Sequence, residues 1–282
     1  MSDTSSQVRE AFSAMLSHLN TGRSTVARPG GGSTSDLTID EVLLLHSIGW
    51  EPVDLVCGAS VGSVYAYTWQ WGVGEIADAS AAHTRAVATA VERISSECRS
   101  VGGHGVIGVS VEFTVHSHHI DAILVGTAVR PSGTGQPSAH PFVSDLSTRD
   151  FCLLHQAGWE PQGLAFGASF VHAPRRSAGT VLAQKGQNVE LTNFTEALYE
   201  AREQAMERMQ SSALGLGAQG VVAVQVREGP MSFAHHAIAF TAWGTAVAPG
   251  AGGHRYLRPR VVIPLDDMSV MFRATSLAGE KS

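Results

Sequence analysis

The sequence is short of cysteine, of charge and of long apolar runs. Cys57, Cys98 and Cys152 are odd in number and lack C-x-x-C spacing, so neither a disulfide framework nor a zinc ribbon is expected. No apolar run reaches the roughly 18 residues that a bilayer-crossing helix needs. Residues 1–7, Met-Ser-Asp-Thr-Ser-Ser-Gln, lack the charged n-region and apolar h-region of a signal peptide, and a cytoplasmic protein is expected. Charged residues make up 16% of the chain, and residues 1–141 contain no lysine. Seven arginines there face 13 acidic residues, whereas residues 142–282 balance 12 against 12, so the net charge of −6 belongs to the first half. Neither half is basic, which argues against binding a nucleic-acid backbone. The one dense basic stretch, His254-Arg255-Tyr-Leu-Arg258-Pro-Arg260, reads as a solvated tail. A G-x-S-x-G elbow, a Walker A loop, an H-E-x-x-H motif and a Cys–His pair are all missing, so no catalytic residue is assigned and a non-enzymatic protein is expected.

What the chain does have is apolar content, 44% of 282 residues, and a repeat. Setting residues 36–61 against 145–170, an offset of 109, gives 13 identities in 26 positions, among them His46/His155, Gly49/Gly158, Trp50/Trp159 and Gly58/Gly167. The offset then moves to 115, matching Ala86/Ala201, Ala90/Ala205, Arg93/Arg208, Val109/Val224 and Val111/Val226. It ends at 118, where Gly126-Thr-Ala-Val129 matches Gly244-Thr-Ala-Val247. Two copies of one unit with insertions in loops account for the length. The expected segments are an N-terminal helix and linker (1–35), a first domain (36–131), a linker (132–144), a second domain (145–249) and a C-terminal extension (250–282).

Each copy predicts the same element order. A short helix opens on a capping box, Thr38-x-x-Glu41 or the looser Ser147-x-x-Asp150, and stops at Gly49 or Gly158. A β-rich stretch (about 53–71 and 163–184) and a long helix (about 78–101 and 194–214) follow, then two strands. Ile107, Val109, Val111 and Phe113 alternate onto one strand face. Asn193-x-x-Glu196 is read as the cap of the second long helix, with Phe194, Leu198, Ala201, Ala205 and Met209 as its apolar stripe. Helices on one face of a mainly antiparallel sheet make this α+β.

The second copy, through Gly163-Leu-Ala-Phe-Gly167, Ala201-Arg-Glu-Gln-Ala205, Gly215-Leu-Gly-Ala-Gln-Gly220-Val-Val222 and Gly244-Thr-Ala-Val247, resembles the YbjQ-like family of small bacterial proteins, a family labelled as heavy-metal-binding. The first copy resembles it more weakly, with Val87 where Arg202 stands in the second. The resemblance implies a dodecin-subunit-like fold, one helix against a curled antiparallel sheet, and assembly into rings, typically pentamers. It implies no reaction.

Thirteen histidines make metal the first chemical question. In His116-Ser-His118-His119, His116 and His118 as i,i+2 strand residues point to one face about 6.6 Å apart, close enough for one divalent ion to bridge. His235 and His236 occupy the comparable turn of the second copy, and a merely polar, exposed turn is the alternative for both sets. No Cys or carboxylate close in sequence is expected to complete the sphere. His83 and Cys98 lie about 22 Å apart along one helix and cannot share a metal, and Cys98 reads as a small core residue. His46 and His155 fall in a last helical turn, where they complement the dipole, and Trp50 and Trp159 are expected to plug the helix onto the sheet.

Tyr65, Tyr67, Trp69 and Trp71 alternate into one aromatic face that the second copy lacks, which suits a subunit interface, a stacked flat ligand or ordinary core. Val8, Phe12, Met15, Leu16 and Leu19 form one side of a helix over 7–20, able to dock on its own chain or on a protein partner. The expectation is therefore a self-associating scaffold or binding protein, with a metal-binding or storage protein and a binder of a flat aromatic ligand as rivals.

Overall fold

A computed structural model describes residues 35–64, 74–134, 136–174, 192–231 and 234–250. The aromatic run Tyr65 to Trp71, the helix expected over 7–20 and the extension after Gly250 lie outside the described residues.

The protein is α+β, and its two halves run through the same element order apart from β2 (Gly74–Glu75) of the first, which has no counterpart among the described residues of the second. The first contains α1 (Ile39–Ser47), β1 (Trp50–Ser63), β2 (Gly74–Glu75), α2 (Ala77–Ser100), β3 (Gly105–Val115) and β4 (His119–Pro131). After β5 (Phe142–Val143), the second contains α3 (Thr148–Gln156), β6 (Trp159–His172), α4 (Thr192–Gly215), β7 (Gly220–Met231) and β8 (Ala234–Pro249). Among the described residues two four-stranded sheets result, ordered β1-β4-β3-β5 and β2-β6-β8-β7, antiparallel except for the β3–β5 pair. Among the described residues no helix is long and apolar enough to cross a membrane.

Local chemistry sets the ends of the short helices. The Thr38 amide donates to the Glu41 carboxylate at 2.8 Å while the Glu41 amide donates to the Thr38 hydroxyl at 3.4 Å, closing the capping box. At α3 the Asp150 amide donates to Ser147 Oγ at 3.2 Å, and that hydroxyl donates to the Asp150 carboxylate at 2.7 Å. Gly49 and Gly158 then take φ of +77° and +78°, a conformation that costs a residue with a Cβ. The strands start directly after these stops, at Trp50 and Trp159, three and four residues before the stretches read from the sequence.

The long helices lie against their sheets through small residues. A Cβ on Gly58 would stand 2.2 Å from the Ala90 carbonyl oxygen, and one on Gly167 would stand 2.1 Å from that of Ala205. Ala86 and Ala90 on α2, and Ala197, Ala201 and Ala205 on α4, complete these close contacts, and Met209 and Cys98 are buried core residues as their spacing predicts. Arg93 donates to the Ala59 carbonyl and Arg208 to that of Ala168, the same bond in each half.

Two local expectations are corrected. Residue 108 is a glycine at φ +63° in a bulge that shifts the β3 register, so Ile107 packs with Leu45 and Phe151 while Val109 and Val111 pack with α2. Asn193 is not the cap of α4: the helix already includes Thr192, and the Asn193 amide reaches out to the Pro174 carbonyl at 2.7 Å.

The halves are joined more closely than a linker implies. Residues 132–144, read as a linker, contain β5, which adds in parallel to β3 of the first sheet. In return β2, from the first half, adds to β6 of the second sheet, and its Glu75 meets Arg208 of α4 at 2.6 Å. The hydrogen bond from Arg208 holds the Glu75 carboxyl below the usual range, against the opposing effect of burial. Trp50 packs edge-on against Phe142 and Phe151 and near the His155 ring, so it anchors the opposite half's short helix. Leu164 and Trp243 of the second half sit in one buried cluster with Val87, Ile94, Val109 and Val111 of the first.

Candidate metal centre

The β3–β4 hairpin brings three donor side chains together. Val115 pairs with Ile120, the His116 amide donates to the His119 carbonyl at 2.8 Å, and Ser117 and His118 form the turn between. His119 and Asp121 are two apart on β4 and share a face, as the pleat requires. The rings of His116 and His119 stack with centroids 4.3 Å apart and planes 21° apart. His116 Nε2 lies 3.3 Å from Asp121 Oδ2, and His119 Nε2 lies 3.7 Å from Asp121 Oδ1.

One potential ligand atom from each of the three residues lies within 4.8 Å of the others. Bonds of about 2.0–2.1 Å to a tetrahedral ion place two ligands about 3.3 Å apart, the separation of the first pair. Asp121 Oδ1 is buried and makes no hydrogen bond, whereas the imidazoles are partly open to solvent. Two imidazoles and a carboxylate suit a borderline divalent cation such as zinc and leave positions open for water or a further ligand.

The sequence reading is corrected in two respects. His118 is not a partner of His116 across one strand face, because β3 ends at Val115; its exposed ring takes a 2.6 Å hydrogen bond with Ser117 Oγ in the turn. A carboxylate is close in sequence after all, Asp121, and the signal for it was the His119-x-Asp121 alternation opposite a strand ending in histidine. In the second half His236 is exposed with its ring 6.4 Å from Phe194, and the side chain of His235 lies outside the described residues. Register places Ala237 and Ala239 where the first half has His119 and Asp121.

Burial shifts the titration of four other side chains. His83 is buried between Phe113 and Phe170 with neither ring nitrogen hydrogen-bonded, and burial pushes its pKa down to about 4. Burial pushes the Cys98 thiol up to about 12 and raises those of Cys57 and Cys152, the opposite of what a nucleophile needs.

The YbjQ-like family, described as "Putative heavy-metal-binding", matches residues 185–249, and over most of its length the chain belongs to one family with the following relative. The encapsulin nanocompartment protein Rv1762c of Mycobacterium tuberculosis is 34% identical over 241 residues, covering 83% of this chain and 92% of that protein. Among the described residues of the matched segment no three donors meet; the His116–His119–Asp121 group lies in the other half.

Proposed function

We propose that this protein is a non-enzymatic, self-assembling scaffold of the cytoplasm that works as part of a protein nanocompartment. The observation carrying this reading is the 34% identity that runs over 92% of a relative named as an encapsulin nanocompartment protein. The architecture supports it, since the two halves are tied by exchanged strands into one building block. Each half is a YbjQ-like unit, arranged in tandem, and five chains is the expected count from the family resemblance. Native mass spectrometry of the full chain tests the proposal. A defined oligomer is the expected result, and a monomer at micromolar concentration overturns it.

A second reading rests on its own observation, the buried and unbonded Asp121 Oδ1 beside two imidazoles. The scaffold binds a divalent transition-metal ion through His116, His119 and Asp121. Cobalt(II) added to untagged protein is expected to give the visible absorption of a low-coordinate site. His116→Ala and His119→Ala abolish this absorption and the accompanying heat of binding, while His235→Ala/His236→Ala leaves both unchanged. Equal binding by all variants removes this reading and leaves the scaffold untouched.

A further inference from the structure

We infer that the packing between the two halves of one chain is repeated between chains: the outer face of β1 and β4 in one copy receives the β7 and α4 flank of the next. The inference rests on the self-assembly reading above and gives it a surface.

Within the chain this packing has two sides. The first half contributes the flank of α2 and the adjacent strip of β3, where His83, Val87, Val109, Val111 and Phe113 lie. The second half covers that strip with Leu164, Phe166, Phe170 and Trp243, the Phe113 and Trp243 rings meeting edge-on at 5.4 Å. Each side has a counterpart in the other half, and both counterparts are open. Val109 and Val111 are 4% and 5% exposed, whereas Val224 and Val226, the same residues 115 positions on, are 42% and 48% exposed. Leu164 and Phe170 are 2% and 0% exposed, whereas Leu55 and Val61, 109 positions earlier, are 38% and 42% exposed.

Three of these four pairs are identical while the cover is missing, and at two further positions of the β7 and α4 flank charge replaces an apolar side chain, Arg202 for Val87 and Glu228 for Phe113. Leu55, Cys57, Ala59 and Val61 alternate along β1, and register sets the half-buried Val125 and Ile123 of β4 beside Cys57 and Ala59. The result is an apolar strip on a sheet face, bounded by Thr127 opposite Leu55 and by Asp121 opposite Val61, the kind of surface that marks a protein contact. A polar detail points the same way. Arg208 bonds the Ala168 carbonyl and meets Glu75 from the other half, whereas Arg93 makes the matching bond to Ala59 but meets no carboxylate among the described residues. An acidic side chain of the arriving copy fits there.

The open donor side of one copy thus matches the open receiving side of another, and the occupant is a second copy of this chain. Such a contact is heterologous: every added copy leaves one face of each kind free until a ring closes.

Two double variants on exposed residues test it, Leu55→Glu/Val61→Glu and Val224→Glu/Val226→Glu. The wild-type chain is expected to run as a species larger than a dimer, and each variant as a monomer with an unchanged circular dichroism spectrum. An equimolar mixture then gives a one-to-one heterodimer, because one intact face of each kind remains. The milder threonine pairs at the same positions weaken assembly about tenfold without charge, which covers loss of folding by the glutamates. A mixture that stays monomeric, or variants that keep the wild-type assembly, overturn this interface and leave self-assembly standing. A monomeric wild type overturns both.

Discussion

At the tips of their hairpins the two halves diverge, while at the closest contacts of helix and sheet they keep the same residues. The first tip holds His116, His119 and Asp121; the second has Ala237 and Ala239 in the matching register. Below the tips, Gly58 and Gly167, Ala90 and Ala205, and Arg93 and Arg208 occupy the same places and make the same contacts. A helix lying within contact of a strand backbone tolerates only glycine and alanine, whereas a solvated turn accepts almost any polar residue. Chemistry specific to one half therefore accumulates at the tips and flanks.

The comparison is tested most severely at its closest contact. Gly58→Ala and Gly167→Ala each force a Cβ into a helix carbonyl, and each is expected to cost about 3 kcal/mol or to prevent folding, as read by urea denaturation. A tolerated alanine in one half alone breaks the equivalence.

A smaller effect separates the halves at α2. His83 stands where α4 carries Leu198, and its depressed pKa means that the unfolded chain takes up a proton first as the pH falls. Its contribution is thus present above about pH 6.5 and lost on the way down to about 4, roughly 2 kcal/mol by pH 5. His83→Leu is expected to flatten the melting temperature between pH 8 and pH 5; an unchanged slope refutes the assignment.

The helix caps come next. Thr38→Ala removes a two-sided box and Ser147→Ala a one-sided one, so both cost about 1 kcal/mol by thermal unfolding, with the first a few tenths larger. Smallest is Glu75→Gln, which weakens the partly exposed pair with Arg208 by about 0.5 kcal/mol. The loss vanishes in acid, because a carboxyl with a lowered pKa contributes only above its titration and loses that contribution as the pH falls. A Gln variant equally weakened at pH 3 contradicts this.

Much of this architecture was legible from the sequence because it is local. The capping residues and the stops at Gly49 and Gly158 set the short helices, and the small-residue stripes placed both long helices to within two residues, each acting within a turn or two of chain. Register was harder to read. The bulge at Gly108 sent Ile107 into another cluster, and the two-residue turn moved His118 out of the donor group while Asp121 entered it. Alternation along a strand cannot reveal such shifts, since they depend on the pairing partner. Least legible were β2 and β5, two residues each, whose pairing is decided wholly by the opposite half.

Those two short strands bear on how the chain emerges from the ribosome. When Pro131 has just left the exit tunnel, the β3 edge that awaits β5 is unpaired and β2 has no sheet to join. The first half then exists as an unfinished surface until more than a hundred further residues are synthesised, at about 5–20 residues per second. Synthesis must therefore carry an uncovered apolar face for several seconds, and a stall after Pro131 would leave a fragment whose open β3 edge is prone to pairing with its neighbours on the same message.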